Sequence, residues 1–134
     1  YNNTFINVNQ QSLSTLPKIY SGNIAYNNIF YNSQSPDFSI FPAHDYNHFI
    51  NSGGAHSEAN GTSVSTGDPF VNYVGLDFRL KTDTAAGIAL PSPFNVDPLA
   101  TVRGVSGIFD RGAFQYLGNN GATFLLPPSN LKSI

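Results

Sequence analysis

The sequence predicts an all-β protein built as a parallel solenoid, and three observations carry that reading. Charged residues make up only 10% of the 134-residue chain and Glu58 is its sole glutamate, so the Glu/Lys faces that long helices present to water are missing. Asn, Ser, Thr, Gly, Phe and Tyr dominate instead, which is the usage of short strands joined by tight turns. Most telling is an internal repeat. The stretches YNNTFIN (1–7), YNNIFYN (26–32) and DYNHFIN (45–51) share one pattern, an Asn two residues before a Phe and another two after it.

Taken in chain order, Asn3, Phe5 and Asn7 open the repeat, followed by Asn28, Phe30 and Asn32, then by Asn47, Phe49 and Asn51. A weaker copy, DPFVNY (68–73), supplies Phe70. Each unit is a short strand whose aromatic ring its own neighbours cannot cover. Stacking the units buries Phe on Phe and runs a ladder of Asn side chains along the turns. The expectation is one buried row of Phe5, Phe30, Phe49 and Phe70, with Asn28 and Asn47 hydrogen-bonded into the turns between coils. A leucine-rich repeat lacks its leucines here, and a β-sandwich is the competing architecture. The segments between copies, QQSLSTLPK (10–18), SQSPDFSIFPA (33–43) and SGGAHSEANGTSVSTG (52–67), are turn-rich and vary in length, as loops on a solenoid do.

Composition also narrows the partners. A formal net charge of −2 leaves neither a basic stripe for nucleic acid nor an acidic tail. No apolar run approaches the ~18 residues of a membrane span. The chain has no cysteine, so neither a disulfide framework nor a thiolate metal site is available. Sequons at Asn2 and Asn60 are expected in so Asn-rich a chain.

The second half carries a family resemblance. GDPFVNYVGLDFRLKTDTAAGIA (67–89) and VDPLATVRGVSGIFDRGAFQY (96–116) resemble the C-terminal coils of secreted bacterial right-handed parallel β-helix proteins, in particular the choice-of-anchor Q type, which is similar in architecture to pectate-lyase-like proteins. The family pattern reads roughly DPLFVN…DFRL…SPAIDAG, then D…GNPR…DIGAYEY. Residues 68–72 and 77–80 match its first part, and Asp97, Arg103, Asp110, Gly112, Ala113, Phe114 and Tyr116 its last. Thr84 to Gly87 match SPAIDAG loosely, and Arg111 and Gln115 replace the usual Ile and Glu.

The resemblance implies β-helix coils over residues 1–118, with GIFDRGAFQY (107–116) as the closing coil, Phe109, Phe114 and Tyr116 packed at its end, and Arg103 paired with Asp110 across the closing turn. Residues 119–134, ending in PPSNLKSI, then read as a linker or the start of a fibronectin III-like module. A chain that begins in mid-repeat and ends this way is expected to be a C-terminal fragment. Its first strand is expected to form an open sheet edge that pairs with another protein chain.

Several clusters are candidates for chemistry. His44, Asp45 and His48 would need a further ligand to hold a metal, and the alternative is a pair of surface or turn histidines. His56 and Glu58 are expected to be solvated in the long loop. Related polysaccharide lyases bind calcium through clustered acids, but the aspartates here are dispersed (Asp37, Asp45, Asp68, Asp77, Asp83, Asp97, Asp110), so no cofactor is expected. A lyase needs a base and positive charge, and within the solenoid-like region and its closing motif Lys18, Arg79, Lys81, Arg103 and Arg111 are the cations on hand. Arg79 and Lys81 alternate with Phe78 and Leu80 and so share a face. A glycosidase needs paired carboxylates, which no spacing proposes.

Sugar-stacking aromatics are a further class, drawn from Tyr20, Tyr31, Tyr46 and Tyr73. Tyr31 and Tyr46 qualify by parity as outward neighbours of an inward Phe, with ordinary packing as the alternative. The carbohydrate-binding set is therefore Tyr31, Tyr46, Arg79 and Lys81. The function expected is that of a secreted or cell-surface β-helix scaffold for carbohydrate interaction or adhesion, with a polysaccharide or surface glycan as partner. The alternative is the non-catalytic end of a polysaccharide lyase or glycoside hydrolase whose active site lies on preceding coils.

Overall fold

The computed structural model describes residues 1–8, 22–33, 38, 41–52 and 57–118. Lys18, Tyr20, Asp37, His56 and the 119–134 segment fall outside them. The described residues are all-β, with parallel sheets and no α-helix.

Eight short strands follow in order: β1 (Thr4–Ile6), β2 (Ile24–Tyr26), β3 (Ile29–Tyr31), β4 (Ala43–Asp45), β5 (His48–Ile50), β6 (Thr62–Val64), β7 (Phe70–Asn72) and β8 (Asp77–Leu80). The first sheet runs β1-β3-β5-β6 and is parallel throughout; β2 and β4 form a second parallel pair; β7 and β8 are an antiparallel hairpin.

The Asn-rich repeat does two separate jobs. Asn2, Asn27 and Tyr46 precede β1, β3 and β5 with positive φ, and Asn7, Asn32 and Asn51 follow them with positive φ (48° to 57° over the six). Asn tolerates this left-handed conformation better than most residues, so these positions bend the chain on either side of the strand. The Asn between, at 3, 28 and 47, builds the side-chain ladder. Asn3 donates through N and Nδ2 to Asn28 Oδ1 (2.9 and 3.1 Å), and Asn28 donates likewise to Asn47 Oδ1 (3.0 and 2.8 Å). Asn28 and Asn47 are buried, and the ladder satisfies polar groups that burial would otherwise penalise.

Phe5 stacks on Phe30 (4.9 Å between centroids, 12°) and Phe30 on Phe49 (5.2 Å, 9°). Phe38 closes over the row, edge-on to both Phe30 and Phe49. The row ends there. In β6 the residue opposite Phe49 is Ser63, and Phe70 does not join. Asp68 Oδ1 accepts from Phe70 N (2.9 Å) just past Pro69, and Phe70 instead pairs with Leu80 inside the hairpin. It is fully buried, but against Tyr31 and Phe78 rather than on Phe49.

The C-terminal half departs from the expected stacking of further coils: it folds back over the repeats. Successive strand residues face opposite ways. While Phe5, Phe30 and Phe49 face one side of the first sheet, Ile29, Tyr31 and Ile50 face the other, where they form the main core with Phe70 and Leu80. Residues 111–113 then cross the repeats in reverse order. Arg111 reaches Asn47 O (3.0 Å), Gly112 N donates to Asn27 O (2.7 Å), and Ala113 N to Thr4 Oγ1 (2.9 Å). The closing motif is thus a strap along the stack, with Tyr116 against the core, and not a last coil beyond it.

Candidate functional site

The polar ladder ends on an unexpected residue. Glu58 takes the place that a further Asn would fill: its carboxylate accepts from Asn47 N (2.9 Å) and Asn47 Nδ2 (2.5 Å). Its side chain is fully buried, against the expectation of a solvated loop residue, and it also meets His44 Nδ1 at 3.1 Å. His44 stacks on Phe38 (4.6 Å, 20°). His48 points elsewhere, to Thr62 Oγ1 (2.5 Å). Burial, reinforced by the positive charge of Arg111, lowers its pKa to about 4. Asp45 is occupied by Tyr46 N and by Asn60, whose hydrogen bonds outweigh burial and hold its carboxyl below the usual range. The two histidines and Asp45 therefore serve separate partners, and the described residues hold no group of three or more acids and histidines suited to a metal.

Each described Lys or Arg is also engaged. Arg111 spreads its guanidinium over Ala86 O, Asn47 O and Thr62 Oγ1, and lies over the Tyr46 ring. Arg103 holds the carbonyls of Asp110 (3.1 Å) and Ala113 (2.5 Å) and packs over Phe109. Arg103 thus meets Asp110 through the main chain, not through its carboxylate. That carboxylate binds Thr84 N, Thr84 Oγ1, Gln115 Nε2 and Tyr116 N, while burial raises its pKa. Arg103 clamps carbonyls of the closing motif, while Arg111, itself in the strap, clamps the carbonyls of Ala86 and Asn47, work for which the five fixed donors of a guanidinium are suited. On the hairpin, Arg79 forms a two-point ion pair with Asp77, and Lys81 lies 3.6 Å from Asp68.

The four residues expected to bind carbohydrate are not brought together. Tyr31 is 6% exposed, because the hairpin covers the face that parity marks as outward. Tyr46 is no strand residue; it occupies the left-handed bend between β4 and β5, so strand parity does not apply to it. Tyr73, too, is half-buried, its hydroxyl accepting from Asn7 Nδ2 (2.9 Å). Arg79 and Lys81 share a face with their acidic partners rather than with either tyrosine.

A different aromatic group reaches the surface. Tyr26 in β2 and Tyr1 just before β1 stack at 6.1 Å and 9°, and Phe94 leans on Tyr1 at 4.8 Å and 50°. Phe94 is 41% exposed, and the neighbouring Ile24 of β2 equally so. Asn2 Nδ2 ties the platform down by donating to Phe94 O (2.9 Å), while Asn2 Oδ1 is buried without a partner among the described residues. The signal for this pair was in the repeat itself, since Tyr1 and Tyr26 each lie four residues before the stacked Phe. Phe94 had no such signal, because it arrives from the folded-back half. No protein-family profile matches the chain, and no curated protein or solved structure matches it either.

Proposed function

We propose that the parallel repeats are coils of a right-handed parallel β-helix domain, secreted or displayed at the cell surface, which acts as a scaffold for carbohydrate interaction or adhesion. The observation that supports this most is the partly exposed Tyr1–Tyr26–Phe94 group. A sugar ring presents an apolar C–H face and a polar rim of hydroxyls, and flat aromatic surface beside amide side chains suits both. Glycan recognition accordingly belongs to these three rings rather than to Tyr31, Tyr46, Arg79 and Lys81. The reading as part of a lyase draws no support from the described cations, all of which are held by carboxylates or carbonyls.

The test is a titration of the protein with soluble polysaccharides, one a polyuronate and one a neutral glucan, followed by NMR. The expected result is shifts centred on Tyr1, Tyr26 and Phe94. Tyr26→Ala or Phe94→Ala should weaken binding by about tenfold, the effect of losing ~1.4 kcal/mol. Binding unchanged in both variants, or none by the intact protein, would remove the proposal.

A further inference from the structure

The ladder of repeats has a direction, and its two ends differ. Along the first sheet, main-chain bonds recur column by column. Asn7, Asn32 and Asn51 N–H groups donate to the carbonyls of Tyr31, Ile50 and Val64, while Ile29, His48 and Thr62 donate back to Asn3, Asn28 and Asn47. In β1, residues 3, 5 and 7 therefore face β3, and Thr4 and Ile6 turn their N–H and C=O groups the other way. Among the described residues β1 is the end strand of the sheet, and none of their other strands takes those groups.

The side chains repeat the asymmetry. Every ladder Asn offers two donors to the next repeat and an Oδ1 to the previous one. Asn28 Oδ1 is filled by Asn3 and Asn47 Oδ1 by Asn28, whereas Asn3 Oδ1 has no donor among the described residues and Asn3 is exposed. The opposite end is closed by the buried carboxylate of Glu58, and there Ser63 replaces the aromatic. Among the described residues Phe5 likewise has one stacking neighbour where Phe30 has two, and it is only half-buried.

We infer that the β1 edge is a docking surface for a parallel strand of the Asn-x-Phe-x-Asn type. Such a strand supplies what the edge lacks: two amide donors for Asn3 Oδ1, a ring for the open face of Phe5, and an N–H for Ile6 O from its second Asn, as Asn32 supplies one to Ile50 O. The β6 end of a second copy fits poorly, because it brings Ser63 to Phe5 and no Asn donor to Asn3. An antiparallel strand would take the main-chain groups but would put its Asn and Phe out of register.

The occupant is testable with a peptide of the protein's own sequence, YNNIFYN (residues 26–32). Titrated into the full chain up to about 1 mM, it should shift the amides of Thr4 and Ile6 and the Asn3 side chain. N-methylation at the peptide's Asn32 position removes the N–H that meets Ile6 O and should weaken binding at least tenfold. N-methylation at its Tyr31 position, which faces away, should leave binding within about twofold. Asn28→Leu and Phe30→Ala peptides should each lose tenfold or more. Equal binding by all peptides, shifts at residues 62–64 instead of 3–7, or no shifts at all would overturn the inference.

Discussion

His48 is a neutral histidine held in place by burial and by Arg111. Its pKa of about 4 in the fold lies below the ordinary value of 6.5, so the unfolded chain takes up the proton first. The stability it contributes is fully present above pH 6.5 and is lost as the pH falls from 6.5 through about 4. The loss should be on the order of 2–4 kcal/mol. His48→Gln, which keeps a hydrogen-bonding group toward Thr62, should flatten that part of a stability–pH curve measured by urea denaturation. Asn51 tests the bends. With φ at 50° it is exposed and contributes one amide bond, to Asn32, that both Gly and Val would remove. Asn51→Val should therefore be less stable than Asn51→Gly by about 1–2 kcal/mol, the cost of a β-branched residue in the left-handed region. Equal midpoints for the two variants would mean the bend is not under strain.

At the level of elements, the Phe row separates by burial. Phe30 is sandwiched between Phe5 and Phe49 under Phe38, and Phe30→Ala should cost about 3–5 kcal/mol. Phe5 lies at the open end, and its loss should cost less than half as much; thermal or denaturant midpoints distinguish the two. This row was legible in the sequence because ring and flanking Asn recur at fixed offsets, and the offsets set the register. The ladder's closure was not, because Glu58 replaces Asn with a different residue at a different offset, and a search keyed to Asn passes over it. Phe70 misled for the converse reason: it stands two before Asn72 as the repeat requires, yet Asp68 and Pro69 turn its strand into a hairpin. Parity failed at Tyr31 because an outward face is a solvent face only when nothing folds back onto it.

For the whole molecule, the decisive feature is that the second half lies along the first. The strap passes the stack through Gly112, where φ is +88° and a Cβ would come within 2.5 Å of Ile29 Cδ1 and 2.9 Å of Thr4 Oγ1. Gly112→Ala should consequently lower stability by at least ~1 kcal/mol and speed amide exchange at Gly112 and Ala113 before it affects β5 and β6. Long-range placement of this kind follows from contacts between residues far apart in sequence, such as Ala113 with Thr4 and Arg111 with Asn47, and no local pattern announces them. All of this rests on the parallel, in-register stacking of the three repeats. It is tested most directly by NMR scalar couplings across hydrogen bonds in the labelled protein. The stacking predicts couplings from Asn7 N to the Tyr31 carbonyl, Asn32 N to Ile50 and Asn51 N to Val64, with ring-to-ring contacts from Phe5 to Phe30 to Phe49. Close Hα–Hα contacts between these strands, the mark of antiparallel pairing in a β-sandwich, would contradict it.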